Sequence, residues 1–278
     1  MAGLPYPIRV AGFGLRRPKA LNPGRSVAGT VEDIGAKVTD FRPGDEVYGI
    51  CDGGSFAEFA SARATKLPLK PTKLSFEEAA AVPVSALTAL QAVRDHGRIQ
   101  PGHEVLIIGA SGGVGTFAVQ IAKDFKAVIT GVCSTAKVEA VRALGADRVI
   151  DYTTADITEE GRRYDAILDI GGNRRLSVLR RALTPRGRLV IVGGETSGRW
   201  LGGSDRQLRA LVLSPFVSQK LGTFIASEKA EDLVALRALI DSGSVAPVID
   251  RTYPLSDVAA AIRYMIDGHA SGKVVITV

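Results

Sequence analysis

The residues with the most chemistry to offer lie in one short stretch, Val105-Leu106-Ile107-Ile108-Gly109-Ala110-Ser111-Gly112-Gly113-Val114-Gly115-Thr116. It satisfies two motifs at once. Gly109-Ala110-Ser111-Gly112-Gly113 fits G-x-S-x-G, the elbow that presents a nucleophilic serine. Ala110-x-Gly112-x-x-Gly115 fits a dinucleotide-binding loop with alanine in the place of the first glycine. In the first reading Ser111 attacks a carbonyl carbon. In the second it sits in a loop beneath a pyrophosphate.

Both motifs demand strand, turn and helix, so the surroundings must separate them. A hydrolase needs an acid and then a histidine later in the chain. Only His269 follows Ser111, with Asp241 or Asp250 as the acid, and no HGGG-type oxyanion motif precedes it. A dinucleotide site needs backbone that approaches phosphate closely at a helix N-terminus. Gly112 and Gly113 leave that room, Gly115 lets the helix press onto the strand, and the helix from Val114 aims its free N–H groups at the phosphates. A second strand follows on schedule and ends at Val132-Cys133-Ser134. The surroundings favour the dinucleotide.

The end of that second strand selects between cofactors. An NAD site places an acid there to bond the ribose 2′-hydroxyl. This chain has Ser134-Thr135-Ala136-Lys137 instead. Hydroxyls and an ammonium suit a 2′-phosphate, which a carboxylate would repel. Tyr152, after the third strand, can reach the same phosphate or the adenosine. NADPH over NADH is therefore the expectation. Gly171-Gly172-Asn173 and Gly193-Gly194 follow later strands and would border the nicotinamide, because ligands bind beyond the C-terminal ends of an open parallel sheet.

The elements that position these residues are readable from their periods. Val105–Ile108, Ala127–Cys133, Arg148–Asp151, Tyr164–Ile170 and Arg188–Val192 read as strands. Val114–Lys123, Ala136–Leu144 and Arg174–Leu183 read as the helices between them. Such alternation predicts an α/β fold, a doubly wound parallel sheet covered on both faces. Before it, residues 1–24 read as loop, and Ser26–Gly35, Arg42–Ile50 and Gly54–Ala62 as short strands of a small β-rich unit. Ser75–Arg94 reads as a helix broken near Pro83, with Ser75 and Glu78 forming a capping box. Ser197–Ser204 is a glycine-rich loop carrying Trp200. Lys229–Ser242 and Ser256–Asp267 read as helices, and Val245–Val248 and Lys273–Val278 as strands.

Composition bounds the function class. The 278 residues are 46% hydrophobic and 23% charged, ordinary for a soluble globular protein. The net charge is +6, yet no long basic run carries interleaved aromatics, which argues against nucleic acid as a partner. The mild positive field favours approach of an anionic cofactor. Two cysteines without C-x-x-C, and three histidines without H-E-x-x-H, exclude a disulfide scaffold and a cysteine-rich zinc site. No apolar run reaches the roughly 18 residues of a membrane span. The N-terminus has no apolar leader core, so a cytoplasmic location is expected.

These segments together resemble the medium-chain dehydrogenase/reductase superfamily, in its zinc-independent quinone-oxidoreductase-like branch. The resemblance rests on "PGRSVAGTVEDIG", "FRPGDEVYGI", "GSFAEFA", "AAAVPVSALTALQAV", "GASGGVGTFAVQIAK", "VCSTAKVEAVRALGADRVIDY", "YDAILDIGG" and "GKVVITV". It implies a Rossmann-type domain at 84–222 inserted into a GroES-like substrate domain formed by 1–83 and 223–278. It implies NADPH, hydride transfer to a quinone, enone or other conjugated carbonyl, a small-molecule substrate and a homodimer. Carried over residue by residue, the cofactor contacts would be Ser111, Gly112, Gly113, Val114, Ser134, Lys137, Tyr152, Gly171 and Gly193. Thr88, Phe224 and Ile225 would lie near the nicotinamide. Zinc-dependent relatives carry a His-Glu pair where this chain has Arg25-Ser26, so no metal is expected. The resemblance also implies strands ahead of "PGRSVAG" that this chain does not carry, hence a shortened β domain. From that follows the alternative of a nucleotide-binding protein with little catalysis. No catalytic residue is assigned; Tyr48 and Ser85 are candidates for the pocket wall.

Overall fold

Apolar runs that are buried on both faces must pair side by side under helices, and in the computed structural model such runs form the centre of a six-stranded parallel sheet. The structure describes residues 22–157, 161–172, 174–193, 204–268 and 270–278. The chain divides into two compact units, each taken here by itself. One spans Ala89–Ile225, and the other comprises 22–88 together with 226–278.

The first unit is built on a parallel sheet of β3 (Glu104–Ile108), β4 (Val128–Cys133), β5 (Arg148–Asp151), β6 (Tyr164–Asp169), β7 (Leu183–Ile191) and β8 (Lys220–Thr223). Their order is β5-β4-β3-β6-β7-β8. The strand order therefore reverses between β3 and β6, the crevice where open α/β sheets bind ligands. The connecting helices are α3 (Gly115–Asp124), α4 (Val138–Ala143), α5 (Leu176–Ala182) and α6 (Ser204–Leu213). α3 is apolar nearly all round, and every residue from Gly115 to Ala122 is buried. Leu106, Ile108, Ile167, Leu189 and Ile191 form the core on the sheet, with Leu179 and Ala210 of α5 and α6 packed against them.

The second unit pairs β1 (Ser26–Thr30) with β2 (Glu46–Ile50) antiparallel, and β9 (Ile249–Pro254) with β10 (Lys273–Thr277) parallel. Its helices are α1 (Phe76–Ala81), α2 (Pro83–Gln91), α7 (Ala230–Asp241) and α8 (Val258–Ile266). The capping box holds: the Glu78 amide donates to Ser75 Oγ, and the Ser75 amide donates to Glu78 Oε2 at 2.8 Å. Pro83 separates α1 from α2, and α2 runs on into a single π-helical turn, Ala92–His96.

Two expectations give way. Gly54–Ala62 forms no strand. Its start is tied to residues 22–24 instead, with the Asn22 side-chain amide donating to the Phe56 carbonyl at 2.9 Å and the Phe56 N–H to the Pro23 carbonyl at 3.3 Å, and Phe59 is exposed. The strand expected at Val245–Val248 begins only at Ile249; Pro247 has no N–H to give a ladder. α6 and β8 carry no clear periodic signal in the sequence and still complete the sheet.

Candidate cofactor site

The opening motif becomes a tight crossing of strand end and helix start. Gly109, directly after β3, adopts φ +82°, and a Cβ there would meet the Gly171 nitrogen at 2.8 Å. A Cβ on Gly115 would overlap the Gly109 carbonyl oxygen, so α3 can start against β3 only with glycine there. Gly112 is different. Its φ is not left-handed, and an added Cβ would meet nothing nearer than the Gly109 oxygen at 3.5 Å. Neither packing nor conformation requires glycine at 112.

The helix start beside that opening has donors to spare. Val114 at the N-cap supplies no side-chain cap. The Thr116 amide is held by the Gly112 carbonyl at 2.9 Å and the Ala118 amide by Val114 at 2.9 Å. No described backbone carbonyl accepts from the amides of Gly113, Val114 or Gly115. Open N–H groups at the positive end of a helix dipole form an anion receptor. Ser111 is buried at this turn. An elbow serine sits on a strained turn, whereas among the described non-glycine residues only Arg98 and Lys126 have left-handed φ. His269 of the hydrolase reading lies outside the described residues, as do Trp200, Asn173 and Gly194.

At the neighbouring strand ends, Cys133 of β4 is in register with Asp151 of β5. The Tyr152 amide donates to the Cys133 carbonyl at 3.1 Å, and the Lys137 amide donates to Ser134 at 2.9 Å, closing the 3-10 turn Thr135–Lys137. Ser134, Lys137 and Tyr152 thus share one corner of the sheet, with the Tyr152 ring more than half exposed. The sequence reading missed Asp151. Its Oδ1 accepts from the Thr153 amide at 2.9 Å and from Thr153 Oγ1 at 2.7 Å. Hydrogen bonds from Thr135 first, and then Thr153, hold its carboxyl below the ordinary range. Burial pushes the Cys133 thiol up, Asp151 adds to that, and Lys137 opposes it, so both charges act on this corner.

The later strand ends close the floor of the crevice. The Gly171 amide donates to the Ile108 carbonyl at 3.2 Å, and the Gly193 amide to Asp169 at 3.4 Å. Packing alone accounts for glycine at 193, since a Cβ there would collide with the Ile170 carbonyl. Asp169, fully buried at the end of β6, is ion-paired with Arg206 of α6, which also donates to the Arg174 carbonyl at 3.1 Å. Phe224 stacks on His96, ring centroids 4.1 Å apart and planes 18° from parallel. Burial pushes the His96 imidazole down, opposed by Asp95. Ile225, which ends this unit, is 97% exposed.

In the second unit, the Thr88 hydroxyl donates to the Val84 carbonyl of its own helix at 2.7 Å. Tyr48 and Ser85 are not open wall residues. Tyr48 is wholly buried, its hydroxyl donating to the Leu233 carbonyl at 2.9 Å, and Ser85 is buried against Lys273 Nζ at 3.0 Å. β2 turns its buried face inward at residue 48, which a short strand with mixed neighbours does not announce.

Comparison with known proteins decides the family. A chloroplast envelope quinone oxidoreductase homolog from Arabidopsis thaliana is 34% identical over 272 residues, covering 91% of this chain and 79% of the relative. The chain belongs to the medium-chain dehydrogenase/reductase superfamily, in its quinone-oxidoreductase-like branch. A mitochondrial NAD(P)H oxidoreductase, RTN4IP1, from Mus musculus is 36% identical over 278 residues, covering 92% of this chain and 70% of its own. The Escherichia coli quinone oxidoreductase, solved in complex with NADPH, superposes with a TM-score of 0.81 at 26% identity, over 95% of this chain and 85% of that one. Residues 7–72 match the family model "Alcohol dehydrogenase GroES-like domain" and residues 144–276 the model "Zinc-binding dehydrogenase". As a member of this branch the chain is an oxidoreductase enzyme of the Rossmann-plus-GroES-like architecture, served by a nicotinamide cofactor.

The superfamily position that draws most attention in the second unit is Arg25-Ser26. Arg25 is ion-paired with Glu228, and the Val84 amide reaches Ser26 Oγ at 3.4 Å. Lys66 joins the same group, 2.7 Å from Glu228 and 2.6 Å from Asp52, which also receives Arg63. Among the described residues, no three His, Cys, Asp or Glu side chains are gathered to hold a metal ion. No described helix is long and apolar enough to cross a membrane.

Proposed function

We propose that this chain is an NADPH-dependent reductase that passes hydride to a quinone, enone or other conjugated carbonyl without a metal ion. The observation that carries the reading is the unneeded glycine at 112, set beside the uncapped start of α3. The fit is local and physical. Gly112 gives clearance, the amides of Gly113, Val114 and Gly115 offer donors to a pyrophosphate, and Lys137 with Ser134 and Tyr152 offers charge and hydroxyls to a 2′-phosphate. Gly171 and Gly193 floor the crevice on the way to the nicotinamide, with Phe224, Ile225 and Thr88 read as its neighbours. When bound, the cofactor supplies the hydride. The zinc-free part rests on donor chemistry: the guanidinium of Arg25 has no lone pair for a metal and is already matched by Glu228.

Two further parts of the reading have their own support. Both cysteines are buried free thiols, which fits a reducing compartment such as the cytoplasm. β8 is an edge strand of the sheet, and the exposed Val212 and Phe216 lie close before it in the chain, which supports association with a second copy. The test of function is a fluorescence titration with NADPH and NADH, followed by turnover on a quinone and enone panel in the presence of a chelator. NADPH is expected to bind more tightly, and Lys137→Ala to remove that advantage. Equal affinity for both cofactors, or no loss in Lys137→Ala, overturns the cofactor choice; loss of turnover under chelation overturns the metal-free step.

A further inference from the structure

The corner that would receive the 2′-phosphate holds a negative charge as well as a positive one. We propose that Asp151 is a specificity-determining residue, whose fixed carboxylate opposes the 2′-phosphate, offsets part of the attraction of Lys137, and leaves the chain able to use NADH beside NADPH. This rests on the cofactor reading above and sharpens it.

Three observations place the charge. The register Cys133–Asp151 and the bond from the Tyr152 amide to the Cys133 carbonyl bring the end of β5 against the end of β4, where the Ser134–Lys137 turn begins. The carboxylate is held there: Oδ1 accepts from the Thr153 amide and Thr153 Oγ1, and Thr153 Oγ1 lies 2.9 Å from Thr135 Oγ1, the first residue of the turn. The Cys133 thiol, pushed up first by burial, is raised further by Asp151 and lowered by Lys137, in keeping with the strand-end register that brings their backbones to one corner.

The consequence is differential. A 2′-phosphate carries close to two negative charges at neutral pH, while a 2′-hydroxyl carries none. A carboxylate within a Debye length therefore adds a repulsive term for the 2′-phosphate of NADPH that NADH lacks, while any effect on the shared pyrophosphate is common to both. Lys137 acts on the same cofactor with the opposite sign. The preference is set by the difference between two nearby charges, and removing either one moves it.

The experiment is a titration of wild type, Asp151→Asn, Asp151→Ala and Lys137→Ala with NADPH and with NADH, reading nicotinamide fluorescence at low and high salt, with circular dichroism to check folding. Asparagine keeps an Oδ1 that accepts from Thr153 and loses the charge. Asp151→Asn is expected to tighten NADPH about three- to tenfold and leave NADH unchanged, with the gain shrinking at high salt. Unchanged NADPH affinity, or equal weakening of both cofactors in Asp151→Asn, overturns the proposal and leaves Asp151 a turn-holding residue. Weakening of both cofactors in Asp151→Ala alone, beside tightened NADPH in Asp151→Asn, supports it by separating the hydrogen bonds from the charge. Failure of the underlying cofactor reading shows differently, as Lys137→Ala without effect on NADPH.

Discussion

In the sheet unit the decisive charge, Asp169, is fully buried at a strand end and answered by Arg206. In the second unit the charges gather at the surface, where Arg25, Arg63 and Lys66 share Asp52 and Glu228. The first arrangement sets one guanidinium against a fully buried carboxylate, next to the glycine turns at the strand ends. The second spreads its pairing over five side chains, from the well-exposed Arg63 and half-exposed Arg25 to the largely covered Lys66. A buried single pair fixes geometry and fails abruptly when broken; an exposed shared network tolerates the loss of a member. The C-terminal strand ends of the sheet unit are therefore where substitution costs most.

The sharpest way to break that contrast is Arg206→Met. It leaves a carboxylate buried without its cation, and the expected loss is about 3–5 kcal/mol. Chemical denaturation measures it; a loss under about 1 kcal/mol would mean that Asp169 is protonated or hydrated. Next comes the pair of glycines. Gly115→Ala drives a methyl into the Gly109 carbonyl, with an expected cost of about 1–3 kcal/mol and loss of NADPH binding. Gly112→Ala meets no such wall and is expected to change stability by less than about 0.5 kcal/mol while weakening NADPH. Equal destabilisation by the two would remove the argument that 112 is glycine for a ligand. In the second unit Ser75→Ala breaks the capping box of α1, at an expected cost of about 1 kcal/mol in thermal or denaturant unfolding.

What the sequence disclosed, and what it hid, divides by the same physics. β3 and β4 are rich in Val and Ile because both faces are buried, and that composition is readable without pairing partners. β8, "KLGT", buries only Leu221 and owes its existence to its ladder with β7. α6 shows solvent Leu208, Leu211 and Val212, so its apolar stripe is blurred. The strand–turn–helix at Gly109–Gly115 is legible because a local motif carries it whole. Asp151 is not, because it sits on a different strand from Lys137 and meets its turn only through the register of β4 and β5. Tyr48 read as a wall residue because its burial depends on α7, far away in the chain.

Lys273 tests how the second unit handles a charge it does bury. Its ammonium lies against Ser85 Oγ at 3.0 Å, and burial pushes its pKa below the ordinary 10.5. The unfolded chain therefore binds the proton more readily. Stability from this residue is complete above pH 10.5, where both states are neutral, and falls as pH drops through that value until the folded state is protonated too. Lys273→Met is expected to flatten this part of the stability–pH curve. An unchanged curve would show that Lys273 keeps its charge at no cost.

Arg25→Met should cost far less than Arg206→Met, and it sharpens the comparison most directly. The guanidinium is half exposed, so its pairing with Glu228 is screened and costs side-chain entropy. Glu228 also keeps Lys66 at 2.7 Å, and Lys66 keeps Asp52, so removing Arg25 strands no charge. The expected loss is under about 1 kcal/mol and vanishes as salt rises. The contrast with Arg206→Met then lies in redundancy as much as in burial. A large, salt-insensitive loss in Arg25→Met would mean that the network around Glu228 holds the second unit as firmly as the buried pair holds the sheet. In that case the two units would differ in composition and not in the way they spend their charges.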